Sequence, residues 1–225
     1  MTAVMAVLVL ISVAVVAITG LGDGASDDSS TPTTVISAQV VDDFLEDFET
    51  SLTATFTARS TFERRRGEDL LLADDLTVVQ RPPDRLTRRE GSVSGRLDGQ
   101  AVSCTGSGDD AACLVGSEPV DVDAEVEDQA ATLRGYVTGP ELLYGVSAME
   151  PTEVTRLGGE DDRCYSLELL RQLPVAPYGT LARFCFDPDT GAPTLLRVER
   201  PEAVDLTQAV ELSGRVTDEE LSLPG

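Results

Sequence analysis

The sequence predicts an α+β fold built on a single large, curved antiparallel sheet. Apolar residues first recur at i, i+3 and i+4 over residues 35–52, which indicates a helix, and they then recur at every second residue. Helical character returns over residues 123–149, and short alternating runs follow from Thr152 to the end. Because the alternating runs have one apolar and one polar side, they predict antiparallel strands with one face on a core.

The predicted elements follow one another in a simple order. The first helix, residues 35–52, has an acidic side and an apolar side, and the apolar side contains Val40, Val41, Phe44, Leu45, Phe48 and Leu52. Short strands separated by Pro-Pro, Asp-Gly and Gly-Ser turns follow, and the first of them places Phe56, Ala58, Ser60 and Phe62 on one face. The helical stretch DAEVEDQAATLRGY continues, after a Gly-Pro break, into GPELLYGVSAM. The final strands include TEVTRL at residues 152–157 and VTDEELSLP at the C-terminus.

The clearest alternation lies in the segment that Cys164 and Cys185 delimit. One side of its two strands is aromatic and aliphatic and contains Tyr165, Leu167, Leu169, Ala182, Phe184 and Phe186. The other side contains Ser166, Glu168 and Arg183 together with both cysteines. We therefore expect a hairpin whose apolar face points inward and whose cysteines point away from it.

The four cysteines are expected to form two disulfides. Cys104 and Cys113 flank a Gly/Asp turn, and Cys164 and Cys185 flank the Pro/Gly turn in LPVAPYG. The midpoint of each pair falls inside its turn, as it does for facing residues of a hairpin, so this pairing is favoured among the three that four cysteines allow. Neither spacing is that of a zinc site. Two disulfides indicate an oxidising compartment.

The charge balance excludes several classes of partner and reaction. The chain of 225 residues has 40 acidic and 17 basic residues, a net charge of −23 and no histidine. Such a field repels nucleic acid, so no nucleic-acid partner is expected; the acid excess fits either a salt-adapted source or base composition with a solvated surface. Without histidine there is no Ser-His-Asp or Cys-His machinery and no His-based zinc site. We expect no enzyme activity, no cofactor and no metal.

The N-terminal residues predict a membrane segment and a linker. Residues 1–21 are almost wholly apolar and are expected to be a transmembrane anchor or a signal segment. Residues 22–34, small and acidic, are expected to be a flexible linker, and residues 35–225 an extracytoplasmic domain. The chain is thus placed in the cell membrane as a single-pass protein with its folded domain outside the cytoplasm, or is secreted after signal cleavage.

The stretch DPDTGAP at residues 187–193 resembles both an aspartic protease loop and the start of a calcium loop. The protease interpretation fails because Asp187 and Pro188 are turn-forming and no second D-T-G exists in the chain. The calcium interpretation fails because Gly191 takes the fifth loop position and Val198 the twelfth. We therefore expect a hairpin turn that Asp187 caps and in which Gly191 is left-handed.

The order of these features resembles the LolA-like superfamily. That family includes periplasmic lipoprotein carriers, actinobacterial lipid-binding lipoproteins of the LppX/LprG type and sensors of the RseB type. The similar parts are the first helix running into FTAR, then VVQRPPDRL, RLDGQ, CYSLELL, FDPDTGAPT and the closing VTDEELSLP, which together cover residues 35–224. The resemblance implies a half-open β-barrel with helices on its concave side, and acyl chains held between sheet and helices.

A lipid or another acylated ligand is therefore expected in an apolar cavity between sheet and helices. The open alternative is that the same side chains contact one another and form a closed core. The candidates come from the first helix and strand, the second helical stretch and the disulfide hairpin: Phe44, Phe48, Leu52, Phe56, Phe62, Leu142, Leu143, Tyr144, Tyr165, Leu167, Phe184 and Phe186.

Two functions are consistent with these expectations. The first is a membrane-tethered, carrier-like protein that binds a lipid or lipoprotein; the alternative is a lipid-free ectodomain that binds a protein or senses an envelope signal. The sequence identifies no protein partner. The arginine runs at residues 64–66 and 88–89 are expected either to contact lipid head groups or to be solvated loop charges. The stretch GEDD at residues 159–162 is expected either to bind calcium weakly or to form an exposed acidic turn.

Overall fold

Eleven strands and two helices make up the part of the chain that the structure describes. The structure is a computed structural model, and it describes residues 37–106, 110–140, 142–149 and 161–224. In chain order the elements are α1 (Ala38–Thr53), β1 (Phe56–Arg66), β2 (Asp69–Arg81), β3 (Asp84–Arg89), β4 (Ser92–Leu97), β5 (Gln100–Thr105), β6 (Ala112–Pro119), α2 (Val122–Thr138), β7 (Tyr144–Ala148), β8 (Arg163–Leu169), β9 (Leu181–Phe186), β10 (Pro193–Glu199) and β11 (Val204–Ser213).

Some of the predicted segments lie outside the described residues. These are the anchor or signal segment and the linker, residues 1–34, the strand at residues 152–157 and the first half of the acidic turn at residues 159–162. Within the described residues, no helix combines the length and the apolarity needed to cross a membrane. The described part belongs to the unit Val35–Gly225.

The sheet consists of two antiparallel meanders joined at its centre. Its strand order is β6-β5-β4-β3-β2-β1-β11-β10-β9-β8-β7, and β1 pairs with β11 from Thr57↔Ser213 to Arg65↔Val204. The chain therefore runs from the centre out to β6, returns through α2 to the other edge at β7, and ends at the centre. Because α2 joins the two edges, it has to cross one face of the sheet. The large curved antiparallel sheet with helices on one side confirms the predicted α+β class.

Helix α1 is held by its apolar side and by a side-chain cap at its C-terminus. Its buried residues include Val41, Phe44 and Leu45, which follow the predicted helical spacing. The last turn of a helix has carbonyl groups without partners inside the helix. The buried Gln80 of β2 satisfies two of these carbonyls, because its Nε2 donates to the oxygens of Ser51 at 2.9 Å and Ala54 at 2.8 Å.

Helix α2 has clear start and stop signals. Asp121 precedes it, and the Oδ1 atom of Asp121 accepts a hydrogen bond from the Ala124 N–H at 3.0 Å. Asp123 and Glu125 lie in the first turn, where negative charge stabilises the helix dipole. The helix ends at Thr138, before Gly139 and Pro140. These signals explain why its predicted start was close to the observed one.

The prediction that helical structure continues to residue 149 is wrong. Residues Tyr144–Ala148 form the edge strand β7, which pairs with β8 through Tyr144↔Leu169 and Val146↔Leu167. Tyr144 and Val146 are buried, so the segment has the alternation of a strand over its five residues. Pairing with β8 supplies the backbone hydrogen bonds that a helix would otherwise provide.

The predicted final strand VTDEELSLP is also wrong, because residues 214–224 form turns. The carboxylate of Glu220 accepts hydrogen bonds from the N–H of Thr217 at 2.7 Å and from its hydroxyl at 2.8 Å, which closes a local turn. Arg88 of β3 donates to the Glu220 carbonyl at 2.9 Å and also to that of Ser222. Local and side-chain hydrogen bonds thus replace strand pairing in this segment.

Both predicted disulfides are present, and the hairpin between β8 and β9 has the predicted register. Cys104 is bonded to Cys113 and Cys164 to Cys185, each within a directly facing strand pair. The pairs Tyr165↔Phe184 and Leu167↔Ala182 bring the apolar side chains together on one face. Cys164 and Cys185 lie on the other face, where Leu195 packs against them.

The turn between β9 and β10 confirms the assignment of DPDTGAP as a hairpin connection. The Oδ2 atom of Asp187 accepts from the Thr190 N–H at 2.8 Å, and the Gly191 N–H donates to the Asp187 carbonyl at 2.8 Å. Gly191 has a φ of 71°, in the left-handed region that favours glycine. A Cβ atom at this position would lie 2.6 Å from Cγ2 of Thr50 in α1, so the turn also touches the helix.

Replacing Gly191 by valine is therefore expected to lower the free energy of unfolding by about 1 kcal/mol or more, because left-handed backbone and the contact with Thr50 both disfavour a branched side chain. Asp189→Asn is the matched control and is expected to leave stability nearly unchanged. Thermal unfolding of both variants measures the difference. Equal stability of the valine variant and the wild type would contradict this account of the turn.

The two faces of the sheet are buried by different parts of the chain. On the helix side, the main apolar cluster lies against β7–β10 and includes Phe44, Tyr165 and Phe184. On the opposite face, Leu86, Val93 and Val102 of β3–β5 form a second cluster with Leu221 from the C-terminal turns. The helices therefore cover the β7–β10 half with apolar contacts, whereas the apolar side of β3–β5 faces away from them.

Candidate functional site

Half of the predicted ligand-binding residues are buried in one cluster, which we call the aromatic core. Within the aromatic core, the ring centroid of Phe44 lies 5.3 Å from that of Tyr165 and 5.5 Å from that of Phe184. These side chains pack against one another between α1 and the sheet. The predicted candidates in the aromatic core are Phe44, Tyr144, Tyr165, Leu167, Phe184 and Phe186, and Phe48 and Leu143 pack against it.

The other predicted candidates are dispersed. Phe56 belongs to a separate small cluster with Ala58 and Ala192. Phe62 and Leu142 are half-buried outside the aromatic core. Leu52, near the end of α1, lines a cleft that is described below. Contact between any of these side chains and a ligand stays a prediction.

A buried carboxylate joins α1 to β8 at the edge of the aromatic core. Asp47 is only 2% exposed; its Oδ2 atom accepts a hydrogen bond from the Tyr165 hydroxyl at 2.7 Å, and its Oδ1 atom lies 2.5 Å from Nη2 of Arg163. Burial raises the pKa of Asp47, the contacts with Tyr165 and Arg163 lower it, and the net shift is upward. Burial and the carboxylate also raise the pKa of Tyr165. These groups bond one another, so we assign them to anchoring the helix.

The helix-facing side of β3–β5 is polar, unlike that of β7–β10. Arg85 and Thr87 project from β3, and Ser94 and Arg96 from β4, into the same space. Arg85 and Arg96 face each other directly across the two strands. Since the apolar residues of these strands point to the opposite face, α2 finds no apolar surface here to pack on.

A cleft of about 510 Å³ therefore remains between α2 and β3–β5. We call it the cationic cleft, because the arginines outnumber the carboxylates in its lining. The Arg96 guanidinium forms an ion pair with Glu125 of α2 and also donates to the Pro83 carbonyl at 3.3 Å. The lining consists of Leu52, Arg85, Thr87, Ser94, Gly95, Arg96, Ala101, Val120, Glu125, Val126 and Gln129.

The electrostatics of the cationic cleft are unusual for this acidic protein. Burial lowers the pKa of Arg85, the neighbouring Arg96 lowers it further, and Glu125 partly opposes both. Like charges directly opposite each other in a sheet are destabilising. The cleft thus contains an excess of positive charge, which attracts an anion.

A second cleft, of about 790 Å³, lies on the other side of α2, between α2 and α1. We call it the acidic cleft, because carboxylates surround an apolar floor that contains Leu45, Val126 and Ala130. Arg134 contributes a positive charge, and its Nη2 atom lies 2.5 Å from Oε1 of Glu49. The complete lining is Asp42, Leu45, Glu46, Glu49, Thr50, Thr53, Asp123, Val126, Glu127, Ala130, Ala131 and Arg134.

The arginine runs at residues 64–66 and 88–89 bind groups of their own chain. Arg64 forms an ion pair with Asp205 at 2.6 Å, and Arg65 one with Glu63 at 2.7 Å. Arg66 donates to the carbonyl of Glu202 at 3.2 Å. Arg88 holds the C-terminal turns, as described above, and Arg89 lies 3.6 Å from Asp74. These contacts favour a structural role over head-group binding.

Sequence reasoning missed the residues that give the cationic cleft its charge. Arg85, Arg96 and Glu125 are isolated charges in a sequence in which charged residues are common. The alternation of Arg85 with Leu86 and of Val93 with Ser94 does indicate that each strand has a polar face. It does not indicate that this polar face is the one turned towards the helices.

Comparisons with known proteins give structural matches at low sequence identity. No protein-family model and no curated protein matches the chain. A crystal structure of MucB matches with 13% identity and a TM-score of 0.48, over 83% of this chain and 63% of that one. The MucA/MucB complex of Pseudomonas aeruginosa matches with 14% identity and a TM-score of 0.48, over 83% of this chain and 61% of that one. The chain thus spans less than two thirds of these proteins.

A LolA superfamily protein of Nitrosomonas europaea also matches, with 8% identity and a TM-score of 0.36, over 81% of this chain and 97% of that one. A member of the LolA superfamily is therefore among the structures that resemble this chain.

Proposed function

We propose that this chain is a non-catalytic, extracytoplasmic, carrier-like domain that binds a lipid or another acylated ligand between its helices and its sheet. The cationic cleft carries the proposal, because it leaves a volume of about 510 Å³ between α2 and β3–β5. Sites for small molecules have volumes of roughly 300–1,000 Å³. The ligand is placed beside the aromatic core and not within it, since the rings of the core fill their own space.

The apolar part of the cleft suits a single acyl chain better than a bulky lipid. Leu52, Val120 and Val126 provide apolar surface, and the strands opposite them provide polar side chains. Val126 also lines the acidic cleft, so a chain that passes this residue reaches the apolar floor between the two helices. An amphiphile with one end polar and one end apolar matches this distribution.

The first half of α2 provides a way for a ligand to enter. Between Val122 and Gln129 only Val122, Glu125 and Val126 are partly buried, whereas Ala130, Leu133 and Val137 of the second half are buried. The first half therefore has little apolar contact, and the pair of Glu125 with Arg96 holds it to the sheet. A segment with few buried contacts opens at low cost in free energy.

The compartment and the tether belong to the same proposal. The two disulfides support a folded domain outside the cytoplasm, because disulfides form and persist in oxidising compartments. Residues 1–21 are proposed to keep the domain at the membrane as an anchor, and residues 22–34 to act as its linker. If the first segment is instead cleaved as a signal, the domain is released into that compartment.

Native mass spectrometry of the delipidated protein, incubated with a single-chain amphiphilic probe such as dodecyl phosphate or monododecanoyl glycerol, tests the proposal. We expect one probe molecule per chain. Ala101→Trp is expected to reduce the bound fraction at least about tenfold, because Ala101 is exposed in the cleft lining and an indole there fills the space without disturbing a core.

The matched control is Leu114→Trp, which places the same side chain on the exposed edge strand β6. This variant is expected to bind the probe like the wild type. A wild-type protein that binds neither probe, although it is folded, would contradict the proposal.

A lipid-free interaction domain is the second candidate, and strand β6 favours it. β6 is an edge of the sheet in the described part of the chain, and its Leu114 is 78% exposed. Edge strands with free backbone groups accept an added strand from a partner. In that case Leu114→Lys would weaken partner binding, and occupancy by acylated probes would be absent from the wild type.

A further inference from the structure

The cationic cleft contains two guanidinium groups for one carboxylate. Arg85 and Arg96 face each other across β3 and β4, and Glu125 of α2 pairs with Arg96. Within the described part of the chain, Arg85 has no carboxylate within ion-pair distance. One positive charge therefore remains without a partner in a half-buried position.

This arrangement is not explained by the stability of the fold. A pair of like charges directly opposite each other destabilises a sheet, and burial of an unpaired cation adds to that cost. A neutral polar side chain would also suit the position of Arg85, because the neighbouring lining residues Thr87, Ser94 and Gln129 are polar and uncharged. Binding of an anion removes both costs at once.

The neutral side chains around Arg85 favour an oxyanion. Thr87 and Ser94 have hydroxyl groups on the same side of the sheet, and within the described residues neither hydroxyl has a hydrogen-bond partner in the protein. A guanidinium binds phosphate or carboxylate oxygens through two parallel N–H groups, and hydroxyl groups donate to the remaining oxygens. Glu125 is the single carboxylate among the lining residues, and the Pro83 carbonyl also accepts a hydrogen bond from Arg96.

The structure assigns the anionic head group of the acylated ligand to this place. We infer that Arg85 and Arg96 bind the phosphate or carboxylate of an anionic amphiphile, and that Glu125 is the internal carboxylate with which this group competes for Arg96. The inference rests on the proposed function and adds to it the charge of the ligand and the residues that recognise this charge.

Competition with Glu125 has a structural consequence. The first half of α2 is held to the sheet mainly by the pair of Glu125 with Arg96. When the ligand takes Arg96, this half of the helix loses its attachment and moves away from β3–β5. Binding of an anionic ligand is thereby coupled to the position of α2.

Two probes with the same twelve-carbon chain, dodecyl phosphate and neutral dodecanol, test the inference in native mass spectrometry and calorimetry, together with inorganic phosphate, which has no chain. We expect the wild-type protein to bind dodecyl phosphate at least about tenfold more tightly than dodecanol, because charge-assisted hydrogen bonds form only with the anion. Arg85→Gln is expected to remove this preference and to leave the binding of dodecanol unchanged.

The stability of Arg85→Gln separates a binding role from a structural one. The variant is expected to unfold at the same temperature as the wild type or above it, because its repulsion with Arg96 is removed. Arg65→Gln, which removes the same charge from an exposed strand end, is the control and is expected to bind all probes normally. Glu125→Gln is expected to bind dodecyl phosphate about three- to tenfold more tightly.

The outcomes distinguish the inference from the proposed function. If dodecyl phosphate and dodecanol bind equally well and Arg85→Gln changes neither, the inference is wrong and the proposed function stands. If neither dodecyl phosphate nor dodecanol binds to the wild type, the proposed function fails together with the inference. If inorganic phosphate alone binds as tightly as dodecyl phosphate, the site recognises a free anion and the assignment to a lipid head group is overturned.

Discussion

Replacing Phe44 by alanine is expected to lower the free energy of unfolding by about 3–5 kcal/mol, the usual cost of deleting a buried aromatic side chain. Phe44 is 0% exposed, and its ring contacts those of Tyr165, Phe184 and Phe186 between α1 and the sheet. Its removal leaves a cavity that the rigid strands on one side cannot fill. Urea-induced unfolding followed by circular dichroism measures the loss.

The matched control is Phe48→Ala, one turn further along α1. Phe48 is partly exposed at the margin of the aromatic core, so its deletion is expected to cost less than half as much. The comparison also decides between the two interpretations of the aromatic candidates. A small loss of stability in Phe44→Ala, together with a loss of binding to an acylated probe, would mean that these rings line a ligand cavity and do not form a closed core.

Replacing Asp47 by alanine is expected to cost about 1–3 kcal/mol at pH 7, because the buried Tyr165 hydroxyl then loses its acceptor. The loss of the contact between Arg163 and Asp47 adds little by itself, since Arg163 is half-exposed. Relief of the buried charge offsets part of the cost. Urea-induced unfolding at pH 7 measures the net effect.

The same variant is expected to change how stability depends on pH. Burial raises the pKa of Asp47 above its ordinary value of 3.8, Tyr165 and Arg163 oppose this shift, and Glu46 and Asp43 on the same helix add to it. A raised native pKa means that the folded protein holds the proton more tightly than the unfolded chain. The stability that the folded protein gains from this tighter proton binding at Asp47 is therefore fully present below pH 3.8. It is lost as the pH rises through the raised pKa of Asp47.

It follows that the difference in stability between the wild type and Asp47→Ala is larger near pH 4 than at pH 7. Asp47→Asn is the control: it removes the titrating group but keeps an oxygen that accepts from the Tyr165 hydroxyl. We expect Asp47→Asn to lose the same pH dependence with a smaller loss of stability. If Asp47→Asn retains the pH dependence of the wild type, the raised pKa belongs to another group.

Local elements were predictable because their signals lie within a few residues of one another. The apolar spacing of Val41, Phe44 and Leu45 marked α1, and the alternation of Tyr165 and Leu167 marked the inward face of β8. The two disulfide pairings followed from turns between cysteines that are 9 and 21 residues apart. In each case, the residues that interact are neighbours in a helix or a hairpin.

The errors arose where the partner of a segment is distant in sequence or where local bonding overrides a strand pattern. Residues 144–148 resemble a helix in isolation, and they form β7 only because β8 is available to pair with them. The C-terminal residues have apolar spacing, but Glu220 closes a turn with Thr217 and Arg88 binds the carbonyl of Glu220. Short apolar segments are ambiguous between helix and strand until their neighbours are known.

The sequence by itself determined the α+β class, the first helix, the hairpins, the disulfides and the two-sided character of the strands. Only the tertiary structure decided which side of each strand faces the helices, because alternation defines two faces without saying what covers them. The pairing of β1 with β11 and the path of α2 between the edges turn the apolar face of β7–β10 and the polar face of β3–β5 towards the same helices. As a result, half of the predicted apolar residues are buried in the aromatic core, and the cleft lies over Arg85 and Arg96.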